Sequence, residues 1–373
     1  MFYLTFKKNI EKMKSKYSLN LGKPFGIKVS IHWTFLLLIA WIVFITMRQG
    51  LETAQILMHV LFVLALFVCV LLHEFGHSLV AIKFGGEVHS IILLPIGGMA
   101  NITKMPEKPK EEFLVSLAGP LVNIVIAAIL GLYLYYIHPV SFGDMDFSYI
   151  TRDNFLPMLL AANIFIVVFN LIPAFPMDGG RLFRSALSVW MSRMEATRIA
   201  KNIGQIFAVL FIIAGLYINP FLVIIGFFIL LGAKGEYEIM KYQNILEDHK
   251  VQDIIITDYD ELEPEDTLGE AAKRLQHISN RGFVIKSGGE YKGLLTQKDL
   301  ITGLETYGKE GKIEDSMNKK IESVTPDMDI FEAFKHMRKN KYDIAPVLKD
   351  DAFKGILDID NINEFFMIRK ALQ

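Results

Sequence analysis

Two histidines four residues apart indicate a metal site within an apolar segment. Residues 73–77 read His-Glu-Phe-Gly-His. On an α-helix the first and last of these positions share a face, so the imidazoles of His73 and His77 can bind one metal ion. Glu74, beside them, is placed to take a proton from a water molecule at that ion. The alternative is a chance pair of helical histidines, but three ionisable groups in an apolar segment are costly without a function.

A hydrolytic zinc site requires a third protein ligand, and Asp178 is the candidate. Catalytic zinc usually takes three protein ligands and leaves one position for water. In residues 170–180, prolines and glycines interrupt an apolar run, and Asp178 is the acid of that stretch. An interrupted helix end can present a carboxylate to a protein-lined cavity. The alternative is that Asp178 caps a helix beginning near Arg181, with Gly179 and Gly180 forming a turn.

These residues lie in the apolar part of a chain with two different halves. The chain has 373 residues, is 52% hydrophobic and carries a net charge of −1, and its mean hydropathy is +0.35. The hydropathy excludes an ordinary soluble protein, the charge gives no indication of nucleic-acid binding, and the single Cys69 excludes a disulfide framework. Residues 1–245 hold 20 basic and 14 acidic residues, whereas residues 246–373 hold 19 and 26. We therefore predict a membrane domain at 1–245 and a soluble domain at 246–373.

The predicted membrane domain is a multi-pass α-helical bundle with about six transmembrane helices and a membrane-associated hairpin. A helix needs roughly 20 apolar residues to cross a hydrocarbon core about 30 Å thick. Residues 89–100 are too few to cross, so they form either a re-entrant or hairpin segment or an interfacial loop. The predicted spans are 31–46 with its flanks, 54–82, 113–137, 155–172, 199–218 and 220–233.

Positively charged residues are concentrated in alternate loops between the predicted spans. Because such loops usually lie on the cytoplasmic side, the pattern predicts a cell-membrane protein with both termini in the cytoplasm. Basic residues concentrate before the first span, between the second and third, and between the fourth and fifth. They are Lys7, Lys8, Lys12, Lys14, Lys16, Lys23 and Lys28, then Lys83, Lys104, Lys108 and Lys110, then Arg181, Arg184, Arg193 and Arg198.

The soluble domain contains an internal repeat with an offset of 62 residues. Residues 268–271 match 330–333, and residues 293–295 match 355–357. Each copy has the pattern of a short strand, an amphipathic helix, two apolar strands and a helix. The pattern predicts an α/β pair of repeats at about 246–308 and 309–373 that bury a shared core.

The two metal motifs, in this order on two spans, resemble those of the site-2 protease family of intramembrane zinc metalloproteases. The tail resembles the tandem cystathionine-β-synthase (CBS) module of the bacterial and archaeal subgroup of that family. The resemblance implies a zinc metalloendopeptidase that cleaves within or near the transmembrane segment of a membrane-tethered protein, in regulated intramembrane proteolysis. It also implies one Zn²⁺ per chain, with His73, His77 and Asp178 as ligands and Glu74 as the catalytic glutamate. The substrates it implies are anti-sigma factors, membrane-held regulators or signal-peptide remnants.

The resemblance extends to four residues outside the metal ligands. Asn123 matches an asparagine that is thought to touch substrate in the family, and the alternative is a hydrogen bond that holds two helices together. Asn170 is, with Asn123, a candidate to stabilise the negatively charged oxygen of the tetrahedral intermediate in peptide hydrolysis. Gly97 and Gly98 follow an apolar stretch where the family has a hairpin that receives extended substrate. The alternative for this pair is a flexible turn.

For the soluble domain, the resemblance implies an adenine nucleotide, ATP or AMP, between the repeats. The signature Gly-apolar-apolar-Thr/Ser-x-x-Asp appears at 293–299, where Asp299 can accept from ribose hydroxyls and Thr296 can donate to phosphate. In the second repeat Asp358 replaces the hydroxyl and would repel phosphate. The alternative is a structural module that joins chains as a homodimer or higher oligomer. For the whole chain, the competing classes are a CBS-gated channel or transporter and a catalytically inert scaffold.

Overall fold

The computed structural model describes residues 18–95, 97–106, 108–137, 149–275, 282–350 and 352–372. Those residues form two compact units that meet in the sequence between Glu238 and Ile239. Five of the seven amino-terminal lysines used above to orient the chain lie outside the described residues. The division at 245/246 that the composition indicates stays a prediction.

Seven helices account for most of the first unit as described. Three of them, Thr53–Lys83, Pro109–Tyr136 and Arg193–Tyr217, are long and apolar enough to cross a membrane, while Thr34–Arg48 and Phe155–Asn170 are apolar but shorter. Six crossings therefore stay a prediction. The helices are α1 (Thr34–Arg48), α2 (Thr53–Lys83), α3 (Pro109–Tyr136), α4 (Phe155–Asn170), α5 (Asp178–Leu187), α6 (Arg193–Tyr217) and α7 (Phe221–Leu246), whose last residues belong to the second unit.

A four-stranded sheet accompanies these helices. Its strands are β1 (Ser18–Gly22), β2 (Lys28–His32), β3 (Glu87–Leu94) and β4 (Gly97–Lys104), in the order β1-β2-β3-β4. The hairpin predicted as one alternative for residues 89–100 is therefore present as β3–β4, and its position in a membrane stays a prediction. The sequence analysis did not identify β1 and β2. Its first span began at residue 31, which is wrong because that residue belongs to β2 and α1 begins at Thr34.

The sheet packs on the helix that carries the two histidines. Phe75 of α2 lies in an apolar cluster with Ile27, Val29 and Ile91, which come from the β2 and β3 region. In the part of the sheet that is described, β4 is the edge strand next to β3, with Gly98 opposite Leu93. The sheet thereby brings its edge alongside the histidine segment of α2.

The second unit consists of two similar halves, as the repeat predicts. The aromatic rings of Tyr291 and Phe353, which are 62 positions apart in the chain, stack at 4.7 Å with planes 7° apart. The first half contains β5 (Glu261–Leu262), α8 (Leu268–Leu275), β6 (Gly282–Ser287), β7 (Glu290–Thr296) and α9 (Gln297–Tyr307). The second contains α10 (Ile330–Asn340), β8 (Ile344–Lys349), β9 (Ala352–Asp358) and α11 (Ile359–Leu372).

Candidate metal centre

Three side chains from α2 and α5 converge on one point. The Nε2 atoms of His73 and His77 are 3.1 Å apart, as expected for residues one helical turn apart. Asp178 places its Oδ2 atom 3.2 Å from the first of these nitrogens and 3.0 Å from the second. The two imidazoles are buried and the carboxylate is mostly buried. The structure therefore brings together the three residues that the sequence analysis selected as metal ligands.

This group of atoms fits a zinc ion. Ligand atoms about 2.0–2.1 Å from a tetrahedral zinc ion lie about 3.3 Å from one another, close to the separations found here. The other imidazole nitrogens face acceptors: Nδ1 of His73 is 2.5 Å from Asn123 Oδ1, and Nδ1 of His77 is 2.7 Å from the Val115 carbonyl oxygen. With a metal ion held by the triangle, each Nδ1 would therefore carry the proton and each Nε2 would present its lone pair to the metal.

Asp178 is the first residue of α5, so the alternative of a helix beginning near Arg181 is wrong. Gly179 and Gly180 lie inside the first turn of α5 rather than in a separate turn. A Cβ on Gly179 would lie 2.2 Å from the Ile172 carbonyl oxygen. The helix can begin this early because two glycines let its first turn pack directly on the backbone that follows α4.

A buried ion-pair network holds α5 against its neighbours. Arg184 donates through Nε to Glu112 at 2.9 Å and through a terminal nitrogen to Glu236 at 3.2 Å. Arg193 donates to the other oxygen of Glu112 at 3.1 Å. The sequence analysis counted both arginines as loop charges and missed this network. The available signal was the acid Glu112 at the start of an apolar helix, which does not by itself identify its partners.

Glu74 lies half-buried beside the edge of the sheet. A Cβ on Gly98 would come within 2.6 Å of the Glu74 Cγ atom, and the backbone N–H of Ala100 interacts with the Glu74 carboxylate. Gly97 has φ of +130°, which favours glycine at the start of β4. Both glycines are strand residues rather than a flexible turn. Their contact with substrate stays a prediction.

Gly119 of α3 allows the close approach between that helix and the metal ligands. A Cβ at this position would lie 2.2 Å from His77 Nε2 and 2.7 Å from His73 Nε2. The sequence analysis assigned no role to Gly119. The missing information was the distance between α2 and α3, which depends on tertiary packing.

The two asparagines predicted to touch substrate have different surroundings. Asn123 is fully buried and bridges His73 to Asn163, whose Oδ1 accepts from Asn123 Nδ2 at 2.8 Å. That geometry matches its alternative role as a hydrogen bond between helices. Asn170 donates to the Ile166 carbonyl of its own helix at 3.0 Å, and within the described residues it joins none of the three candidate ligands. Substrate binding by either residue stays a prediction.

In the second unit, Thr296 and Asp299 form a helix cap. The Thr296 hydroxyl donates to the Asp299 carboxylate at 2.7 Å, and the Asp299 backbone N–H donates to the Thr296 hydroxyl at 3.2 Å. This reciprocal pair begins α9. An open cavity of about 370 Å³ lies alongside, and its lining includes Thr296, Lys298 and Asp343. At the corresponding place in the second half, Asp358 is buried and accepts from the Asp360 backbone N–H at 2.7 Å.

The apolar helices, the ligand triangle and the adjacent glutamate define the class of protein as a membrane metalloprotease. Family models match in two parts of the chain: peptidase family M50 at residues 61–214, and the CBS domain at residues 251–306 and 311–367. A zinc metalloprotease of Methanocaldococcus jannaschii is 32% identical over 347 residues, which are 93% of this chain and 95% of that relative. The chain therefore belongs to peptidase family M50, the site-2 proteases, and carries a carboxy-terminal CBS pair, which confirms the resemblance.

Two further proteins are similar over part of the chain. Stage IV sporulation protein FB of Bacillus subtilis is 29% identical over 153 residues, which are 41% of this chain and 49% of that relative. The solved structure of a site-2 protease from Methanocaldococcus jannaschii is 34% identical, covers 59% of this chain and 95% of that chain, and gives a TM-score of 0.43. The family assignment depends on the full-length relative rather than on these two.

Proposed function

We propose that the protein is an intramembrane zinc endopeptidase that hydrolyses a peptide bond within or beside the transmembrane segment of a membrane-tethered protein. The observation that carries this proposal is the triangle of His73, His77 and Asp178 beside Glu74. Both histidines and the glutamate lie on a helix apolar enough to cross a membrane. The proposed setting is the cell membrane, with both termini in the cytoplasm. The proposed substrates are anti-sigma factors, membrane-held regulators or signal-peptide remnants.

The chemistry divides between the metal and the residues around it. Bound zinc would lower the pKa of a water molecule and polarise the scissile carbonyl. Glu74 accepts the proton of the attacking water and delivers it to the leaving amine. His73 and His77 are held by acceptors at Nδ1, so their Nε2 atoms keep one orientation. Asp178 supplies the negative charge among the three ligands.

Strand β4 offers a place for the substrate backbone. A helical segment must unwind before its carbonyl carbon can be attacked, and an edge strand can hold an extended chain through main-chain hydrogen bonds. Because Gly98 has no side chain, β4 can lie close to Glu74. We propose that a segment paired with β4 passes the Glu74 carboxylate, so that binding and cleavage occur at adjacent places.

A Glu74→Gln variant tests the proposed activity. With a co-expressed single-span candidate substrate, we expect cleavage to fall by at least about 100-fold, because glutamine cannot accept the water proton. Zinc content should stay the same, since Glu74 is not a ligand. Glu87→Gln, which changes an exposed glutamate at the start of β3, is the matched control and should cleave normally.

If the Glu74→Gln variant still cleaves the substrate, Glu74 is not the general base. If the wild type cleaves none of the candidate substrates, an inert scaffold or a channel is favoured. Membrane stubs that accumulate in cells carrying the Glu74→Gln variant, measured by proteomics against the wild type, would identify the substrate.

We also propose that the CBS pair binds ATP or AMP and thereby regulates the protease, and that it joins chains as a homodimer or higher oligomer. The cavity beside Thr296 supports nucleotide binding, because Lys298 at its wall can attract phosphate and Asp343 can accept from a hydroxyl or an amino group. The mass of the full-length protein in detergent, measured by light scattering, tests the oligomer: a monomer would contradict it.

A further inference from the structure

A buried hydrogen-bond chain begins at Asn163 of α4 and reaches the metal site. Asn163 Oδ1 accepts from Asn123 Nδ2 at 2.8 Å, and Asn123 Oδ1 lies 2.5 Å from His73 Nδ1. Both asparagines have no exposed surface. These hydrogen bonds therefore join α4 to α2 through α3, and both amides are out of contact with solvent.

The surroundings of Asn163 determine which way its amide points. Its Nδ2 donates to the Leu159 carbonyl oxygen at 2.8 Å and is 3.5 Å from Cys69 Sγ. Reversing the amide would place Oδ1 against that carbonyl oxygen, and two acceptors cannot share a hydrogen bond. The hydrogen-bond network thus assigns Oδ1 of Asn163 to the side that faces Asn123.

The orientation of the Asn163 amide determines which nitrogen of His73 carries the proton. Because Asn163 presents an acceptor, Asn123 must present Nδ2 to it and Oδ1 to His73. His73 therefore carries its proton on Nδ1 and keeps the Nε2 lone pair. If Asn123 were reversed, its amide N–H would face Nδ1, the proton would move to Nε2, and that nitrogen could no longer bind a cation.

A comparison with His77 shows why the tautomer of His73 depends on a further residue. Nδ1 of His77 faces the Val115 carbonyl oxygen at 2.7 Å. A backbone carbonyl can only accept a hydrogen bond, so it selects the same tautomer without help. The Asn123 amide has two orientations of similar shape, and another residue must choose between them.

We infer that Asn163 is a positioning residue of the metal site, which fixes the amide of Asn123 and thereby the metal-binding tautomer of His73. The inference deepens the proposed function and rests on it for the identity of the metal. Asn163 touches none of the three candidate ligands among its described contacts, so its effect on the metal passes through Asn123.

The first test is zinc affinity of the full-length protein in detergent, measured by competition with a chromophoric chelator. Asn163→Leu keeps the branched shape of the side chain but presents no acceptor, so we expect zinc to bind about tenfold more weakly. Leu159→Ala is the matched control, because it loosens the same part of α4 and keeps the backbone carbonyl that Asn163 uses; its zinc affinity should match the wild type. Equal affinities of Asn163→Leu and wild type, or equal losses in both variants, would overturn the inference.

The second test asks whether Asn163 acts through Asn123. In an Asn123→Leu background, adding Asn163→Leu should weaken zinc binding no further, whereas additive losses would contradict the proposed order of action. Asn163→Ala provides the same cycle if the leucine variant does not fold.

The third test reads the tautomer directly, by ¹⁵N NMR of histidine-labelled, metal-free protein at alkaline pH, in an Asp178→Ala background that removes the carboxylate facing Nε2 of His73. In that background we expect a proton on Nδ1 of His73 when Asn163 is present and a substantial Nε2–H population when Asn163→Leu is added; unchanged spectra would reject the inference. A wild type that binds no zinc would reject the proposed function, while this spectrum would still decide the role of Asn163.

Discussion

The two units of the chain bury different kinds of residue. Among the described residues, every buried polar or charged side chain except Asp358 belongs to the first unit. In the second unit, the buried clusters are aliphatic and aromatic, as around Leu268 and Phe283. Conversely, the first unit exposes large apolar side chains along its helices, among them Ile129 at 62% and Leu216 at 71%.

The difference follows from the solvent that surrounds each unit. A helix in lipid can expose apolar side chains at no cost, but its polar groups must find partners within the protein. Two groups of buried polar side chains in the first unit accordingly bond to one another: the series from Asn163 through Asn123 to His73, and the network around Glu112 and Arg184. In a unit with an apolar interior, polar pairs such as Thr296 and Asp299 lie near the surface and begin helices. The buried polar residues of the first unit therefore include both the candidate metal centre and an ion-pair network that holds helices together.

The largest expected effect comes from filling the space between α3 and the ligands. Gly119→Ala places a methyl group where the Nε2 atoms of His73 and His77 now lie, so the imidazoles must move away from Asp178. We expect zinc affinity to fall at least about tenfold, measured with the chelator. Gly131→Ala, in the same helix but with open space around it, should leave zinc binding unchanged. Normal zinc binding by Gly119→Ala would contradict the close packing of α3 on the site.

A smaller effect, on stability, comes from removing one partner of the buried ion pairs. Glu112→Leu leaves Arg184, which is 3% exposed, without its main carboxylate. We expect the free energy of unfolding to fall by about 3–5 kcal/mol, because a buried charge has lost a partner. Denaturation in detergent measures it.

The neighbouring Glu111→Leu is the control for that measurement. Its pair with Lys108 is 3.3 Å long, and the lysine side chain is 81% exposed, so its loss should change stability by less than about 1 kcal/mol. Similar losses for Glu111→Leu and Glu112→Leu would show that burial of the network contributes nothing.

The smallest effect concerns the second unit. Asp299→Ala removes half of the reciprocal cap of α9 and should cost about 1 kcal/mol. It should also abolish the rise in thermal midpoint that we expect ATP or AMP to produce in the wild type. Asp329→Ala removes the cap of α10, where Asp329 accepts from the Phe331 backbone N–H at 2.8 Å, and should keep the nucleotide response.

Nucleotide stabilisation that persists in Asp299→Ala would contradict the assigned site. If neither nucleotide stabilises the wild type, Thr296 and Asp299 are capping residues alone. The two units would then differ more clearly, with a polar functional site in the first and only helix caps in the second.

Local patterns predicted the elements whose geometry depends on near neighbours in the chain. The i, i+4 spacing placed His73 and His77 on one face, and the 62-residue offset predicted two similar halves of the second unit. The strands β1 and β2 were missed because both are short. In the sheet β2 pairs with β3, which lies about 60 residues further on, and β1 pairs with β2. The arginines of the ion-pair network were missed because a charge near a helix end has the same sequence pattern whether it is solvated or buried.

What the sequence determined by itself was therefore the chemistry available: two imidazoles, a neighbouring glutamate and an acid in an interrupted apolar segment, together with the family that carries them. Only the tertiary structure decided that Asp178 meets the histidines, that Gly119 makes room for them, and that Asn163 controls the tautomer of His73. The physical reason is that helical spacing is set by bonds along the backbone, whereas these contacts join residues 40 to 105 positions apart and depend on how the helices pack.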